Sequence, residues 1–310
     1  MHVETSVPAR ERARLLTPER VLWLSCASAL SLWLIIVSGA AVRLTASGLG
    51  CEAWPGCEEG SFFPASGHHS WIEFGNRAVA ILPLTLTLLA WLGSRRVAAL
   101  PRGVRWLALA TFLGTVAQAP LGLLTIRTEL HPLMVMTHFL LALVVLATAI
   151  VVATEAWSAV RGRGATTVPP AIRRAGLVLV SACAALVVTG ALATAAGPHP
   201  GGDEIRRLGS LVDAMWVHVR ATAVFGLMLA LVVGYLVARR RESRLLVPAG
   251  VLLALLLVQM LVGEVQWRSQ LPWALVLVHV SLAGAIWAAC VFLAYVLWRP
   301  PAGLARRPLD

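Results

Sequence analysis

Long apolar runs recur along the whole chain, and their length is what most restricts how it can fold. A helix crossing the hydrocarbon core of a bilayer needs roughly 20 predominantly apolar residues. Runs of about that length occupy 21–42, 73–93, 104–126, 132–153, 172–196, 212–238, 245–264 and 272–298. Only 13% of the residues are charged, against about a quarter in a soluble domain. The segment 1–20 is polar and rich in Arg, so it does not read as a cleavable signal, and the first run is expected to stay in the membrane. The expected fold is an all-α integral membrane protein with eight transmembrane helices.

The charge between the runs orients them. The net charge of +11 is carried by Arg, since the chain contains no Lys. Clusters stand before the first run (Arg10, Arg12, Arg14, Arg20), after the second (Arg95, Arg96, Arg102, Arg105) and after the fourth (Arg161, Arg163, Arg173, Arg174). Others follow the sixth (Arg239, Arg240, Arg241, Arg244) and the eighth (Arg299, Arg306, Arg307). The alternate breaks hold only Arg43, Arg127, the pair Arg206 and Arg207, and Arg268. The excess of Arg on cytoplasmic loops then places both termini in the cytoplasm. Absence of Lys beside abundant Ala and Arg suggests a bacterium, so the expected location is the plasma membrane. Trp71, Trp216 and Trp273 near one interface, with Trp91, Trp106 and Trp298 near the other, fit an aromatic belt. Basic residues confined to short loops set topology rather than grip phosphates, which argues against nucleic acid and for the lipid bilayer as partner.

The two halves repeat. Val37-Ser38-Gly39-Ala40 is echoed by Val188-Thr189-Gly190-Ala191. Gln118 and Gly122 recur as Gln259 and Gly263, and the same offset carries His138 onto His279. A nearly equal offset carries Asn76 onto His218. The simplest reading is a duplicated four-helix unit, giving two pseudo-symmetric four-helix bundles. The expected divisions are a cytoplasmic segment 1–20, an N-terminal half 21–153, a linker 154–171, a C-terminal half 172–298 and a cytoplasmic tail 299–310.

Ionisable groups in hydrocarbon are costly, so His138, His218 and His279 are functional candidates. A bland alternative is a hydrogen bond to a neighbouring helix. His218 and His279 each lie about seven residues from one end of their runs, hence roughly 10 Å deep. Two imidazoles at matched depth on facing helices suit the axial positions of a low-spin haem iron. No Cys or carboxylate shares that depth, which argues against zinc. The equivalent pair in the first half is Asn76 and His138, and Asn is a poor iron ligand. Glu73 and His69 share a helix face with Asn76 if the helix extends that far. An iron with an open position beside a carboxylate suits chemistry rather than electron carriage. Arg77 and Arg220 can either pair with haem propionates or snorkel to the headgroups. Cys51 and Cys57 in the first outer loop suit a disulfide or a redox-active dithiol. Cys26, Cys183 and Cys290 read as packing residues, and His131 and His199 as boundary residues.

Taken together, these residues resemble the haem A synthases of respiratory bacteria and mitochondria. The likeness rests on Gly39, on Arg43-Leu44-Thr45-Ala46-Ser47-Gly48-Leu49-Gly50-Cys51, and on Trp54-Pro55 with Cys57. It rests further on Glu73-Phe74-Gly75-Asn76-Arg77, Leu130-His131-Pro132 with His138, Gly197-Pro198-His199, and His218 with His279. The resemblance implies oxidation of the C8 methyl of haem O to the formyl group of haem A. It implies haem b on His218 and His279, and substrate haem O facing His138, with Glu73 as the site carboxylate and Cys51 with Cys57 as the outer-loop pair. Haem O synthase is an implied partner and a homo-oligomer is compatible with it, while the sequence does not identify the electron donor. The family pattern Glu-x-x-His-Arg is broken here by Asn76. Actinobacterial members are similar in this and keep a His four residues before the Glu, as His69 does. Either His69 replaces part of the missing ligand, or the substrate iron has one protein ligand, or activity is lost. The competing expectation is a bis-His membrane cytochrome that carries electrons without modifying haem.

Overall fold

The computed structural model describes residues 17–65, 67–166, 168–201, 206–239 and 243–304. Arg10, Arg12, Arg14, Arg240, Arg241, Arg306 and Arg307, used above for orientation, lie outside them. Among the described residues the chain is helical, with only isolated bridges such as Glu58 to Ser61 between its helices. Helix α1 spans Pro18–Leu44, α2 His68–Val79, α3 Ile81–Ser94, α4 Arg102–Arg127 and α5 Pro132–Arg161. Helix α6 spans Pro170–Ala196, α7 Leu211–Ala238, α8 Ser243–Arg268 and α9 Trp273–Trp298. Eight segments are long and apolar enough to cross a membrane, with α2 and α3 together making one of them. The chain is a multi-pass membrane protein.

Local chemistry sets the helix ends. Thr17 caps α1 by accepting from the Arg20 N–H, and Pro18 fills the first turn, where a missing donor costs nothing. Ser210 caps α7 through the Asp213 N–H. His131 caps α5 by accepting from the Leu133 N–H, which explains a His ahead of Pro132 without any ligand. The second span breaks at Ala80 because Pro83 lacks an N–H and its ring crowds the carbonyl of Val79.

Two boundaries differ from the expected ones. Helix α5 continues to Arg161 rather than stopping at 153, so the linker shortens to 162–169. Glu155, just past the expected end at 153, is buried and paired within the protein. Its carboxylate accepts from Arg163 at 2.5 Å and from the Tyr295 hydroxyl at 2.6 Å. The second span likewise starts at His68 rather than 73, because the polar turn His68-His69-Ser70 is helical and pinned to the preceding loop.

Each half forms a ring of four spans. Helix α1 packs on α3 and α5, and α4 packs between α3 and α5. Helix α6 packs on α7 and α9, and α8 packs between those two. The backbones of diagonal neighbours, α3 with α5 and α7 with α9, stay more than 8 Å apart, which leaves a slot between them down each ring. The halves join through α9 against α1 and α5, where Trp33 donates to the Ser281 carbonyl at 2.9 Å and Trp287 to the Leu143 carbonyl at 2.8 Å. Leu and Val side chains such as Leu231, Leu257 and Leu261 face outward, as lipid contact requires.

The duplication extends to the backbone. Glu129 and Leu130 adopt left-handed φ values of 52° and 54°, and Gln270 and Leu271 adopt 63° and 60° at the same place in the second half. Leu130 N–H donates to Thr125 and Leu271 N–H to Gln266, again equivalent positions. A left-handed residue other than glycine costs about 1–2 kcal/mol. Two in succession, in both copies, mark one turn built twice.

Candidate functional site

In the second ring, His218 of α7 and His279 of α9 point at each other across the slot. Their ring centroids are 6.3 Å apart with planes inclined by 64°. A metal–nitrogen bond of about 2.0 Å and about 1.1 Å from nitrogen to ring centre put two opposed imidazoles roughly 6 Å apart. The pair therefore has the spacing of two axial ligands on one metal. Among the described residues no cluster of three or more His, Cys, Asp or Glu exists that would suit a protein-caged ion instead.

Neighbouring residues hold these rings. The Thr189 hydroxyl donates to the Leu186 carbonyl at 2.9 Å, so its oxygen accepts from His218 Nδ1–H at 3.2 Å. That fixes the tautomer and leaves the Nε2 lone pair for a metal. A Cβ on Gly190 would stand 3.0 Å from His218 Cε1, and one on Gly263 would stand 3.2 Å from His279 Cε1. Both glycines are thus cradles into which an imidazole sinks. Gln259 steadies α9 by donating to the His279 carbonyl at 3.0 Å. His279 Nδ1 is buried without a partner. A buried imidazole with an unspent ring nitrogen fits a metal-ligand role better than a packing one.

The first ring repeats this plan with one ligand changed. His138 lies beside Gly122, where a Cβ would be 3.5 Å from its Cε1, and its Nδ1 is also buried and unpartnered. Asn76 faces Gly39, and the Ser38 hydroxyl donates to Asn76 Oδ1 at 2.7 Å, in the place where Thr189 instead accepts from His218 in the other half. The group this leaves open on Asn76 is its NH2, which has no lone pair for iron. One ring offers two imidazoles and the other offers one.

Glu73 is 4% exposed and fully engaged. Its Oε1 takes a 2.5 Å ion pair from Arg77 and its Oε2 accepts from the Cys51 N–H at 2.9 Å. Arg77 also donates to the Ala53 carbonyl at 2.7 Å and to the Gly56 carbonyl. Glu73 and Arg77 together clamp the loop that Cys51 and Cys57 close, and those two cysteines form a disulfide. The Trp54-Pro55 peptide within this loop is cis. Gly50 lets the loop pass against the backbone of α2, since a Cβ there would lie 2.7 Å from the His69 carbonyl.

Not every expected residue joins the rings. His69 hydrogen bonds Ser47 Oγ at 2.9 Å and its ring lies 3.8 Å from that of His68, centroid to centroid. It stands on α2 seven residues before Asn76, about 10 Å of helical rise away. Arg220 is two residues past His218 and therefore on the far side of α7, where it lies 5.7 Å above the Trp216 ring. His199 ties its loop to the Leu271 carbonyl at 2.8 Å, in keeping with a boundary role. Cys183 and Cys290 are buried, whereas Cys26 is exposed on the outer face of α1. The glycine cradles went unrecognised in the sequence. The signal was present, because Gly39, Gly122, Gly190 and Gly263 all recur at the repeat offsets.

Comparison with known proteins bears on the first ring. Residues 65–197 match the family described as cytochrome oxidase assembly protein, a stretch that includes His69, Glu73, Asn76, Arg77 and His138. The chain is 31% identical over 133 residues to a haem A synthase of Bacillus pumilus, covering 41% of this chain and 42% of that protein. It is 30% identical over 110 residues to one of Macrococcus caseolyticus, covering 35% and 36%. Against a haem A synthase of Bacillus cereus it is 31% identical over 136 residues, 42% of each chain. These alignments thus span less than half the length of the relatives.

Proposed function

We propose that this chain, a relative of the haem A synthases over residues 65–197, is itself a haem A synthase. It oxidises the C8 methyl of haem O to a formyl group, with haem b as its resident cofactor. The observation carrying this reading is the asymmetry of two equivalent rings: His218 faces His279 at 6.3 Å, while His138 shares its ring with an amide that cannot ligate. A pure electron carrier gains from two closed sites, whereas an enzyme needs one iron with a free face.

In this reading His218 and His279 hold haem b, and Thr189 keeps His218 in the ligating tautomer. Haem b would supply one-electron transfer there. His138 holds the substrate haem as its single protein ligand, and Gly122 lets that macrocycle and the imidazole approach closely. Asn76 keeps a hydrogen-bond donor where the other ring has a ligand, so the second face stays open. With dioxygen as the oxidant the conversion balances as R–CH3 + O2 → R–CHO + H2O, and Glu73, on the helix of Asn76, is the carboxylate to take up and pass on the protons as the methyl C–H bonds break. Arg77 holds that carboxylate in place through their ion pair, and the disulfide loop covers it. Haem O synthase is the natural donor of so apolar a substrate.

The test is to express the chain with a source of haem O in cells lacking formyl haem, and to extract and separate the haems. Haem A should appear with the native chain and vanish with His138→Ala. Recovery of haem O and protohaem alone, from cells whose membranes hold the bis-His haem, would overturn the enzyme in favour of an electron carrier.

A further inference from the structure

The repeat exposes a second broken equivalence, at Gln118. Gln259 donates its Nε2 to the His279 carbonyl within the protein, which leaves only its Oε1 without a partner. Gln118 holds the same register in α4, one turn from the Gly122 cradle and on the same face, yet both its Nε2 and its Oε1 are buried without a partner. An unmet buried amide costs about 1–3 kcal/mol, and apolar surroundings add to that. His138 Nδ1 is unpartnered in the same ring. Two unpartnered amide atoms on Gln118, in the ring of His138, point to a ligand that meets them.

Depth indicates which part of that ligand meets Gln118. Gly122 is level with the His138 ring, and Gln118 lies four residues further from the disulfide end, about 6 Å deeper along the helix. A macrocycle held by His138 keeps its carboxylates toward the disulfide end, where water can reach them, so its opposite edge points to the bilayer midplane. Resting on the function proposed above, that edge belongs to haem O. It carries a hydroxyl on the first carbon of the farnesyl-bearing side chain, where protohaem has a vinyl group. A primary amide fits a hydroxyl on both counts, because Nε2 donates to the oxygen while Oε1 accepts the proton.

We infer that Gln118 is a specificity residue of the substrate site, selecting haem O over protohaem by hydrogen bonding its side-chain hydroxyl. Protohaem leaves both amide atoms unmet, and a polar site left unpaired rejects the analogue. A net hydrogen bond of about 1.4 kcal/mol corresponds to about tenfold in affinity.

The experiment titrates haem O and protohaem into the purified full-length chain after its bis-His site has been filled. It compares the native protein with Gln118→Leu and with the near-isosteric Gln118→Met. The native chain should prefer haem O. Both variants should lose about tenfold of that preference, as haem O binding weakens and the penalty against protohaem is relieved, and the retained bis-His spectrum certifies their fold. Retention of the full preference in both variants overturns this inference and leaves the enzyme reading standing. Failure of the native chain to bind haem O overturns both.

Discussion

Side chains at the two rings are held by small neighbours more than by partners of their own. The Gly263 cradle leaves a methyl group 3.2 Å from the His279 ring, so alanine fits only if the imidazole yields a few tenths of an ångström. Valine adds branches that the ring cannot evade. Gly263→Val should therefore strip most low-spin haem from the purified protein, with Gly263→Ala retaining more. Thr189→Val tests the orienting bond instead, because it keeps the volume and removes the acceptor. Loss of an outer partner of a metal-bound His typically costs 10–100-fold in affinity. Haem titration should show a loss of about that size with the bis-His spectrum preserved. Equal affinity would mean that the 3.2 Å contact does not orient His218. The facing histidines were legible in the sequence, since His in an apolar run stands out and the repeat offset carries His138 onto His279 and Asn76 onto His218. Their glycine and hydroxyl partners were visible only as repeated letters. Which helix face meets which neighbour is set by packing, and no single run encodes it.

Helices were legible by length and composition, and their ends less so. The run expected to end at 153 continues to Arg161, with Glu155 turned inward. With its side chain fully buried, Glu155 draws Arg163 of the linker, Tyr295 of α9 and, at 3.6 Å, Arg299 onto one carboxylate. Next to it the linker and the segment after α9 run together, with Gly164 N–H donating to the Pro300 carbonyl and Ala302 N–H to that of Gly162. Charge and backbone thus fasten the two halves at the end opposite the disulfide. Removing one partner of a buried pair costs about 3–5 kcal/mol. Arg163 is a third exposed and Arg299 remains, so about 1–3 kcal/mol is expected for Arg163→Ala. Thermal unfolding of the detergent-solubilised protein should show a clear fall in midpoint. Glu155→Gln should cost less, because it leaves no buried charge and still accepts from Tyr295. A larger loss in Glu155→Gln than in Arg163→Ala would reverse this account.

At the scale of the whole molecule, the rings, the seam and the membrane orientation form one argument. The arginine clusters that predict cytoplasmic termini gather at the Glu155 seam end, and the disulfide loop lies at the other. Reporter fusions after Arg96 and Arg163 should read as cytoplasmic and fusions within 50–65 as external. A membrane-impermeant thiol reagent should label Cys51 and Cys57 only after reduction. Labelling without reductant, or any reversed fusion, would count against the orientation. The central claim is that duplication produced one closed and one open haem site, and spectroscopy of the purified protein tests it most directly. Electron paramagnetic and optical spectra of the native chain, His218→Ala and His279→Ala should show one bis-His low-spin haem that either substitution abolishes. In Asn76→His a second such signal should appear when haem is added. Survival of the full low-spin signal in both alanine variants would contradict the account.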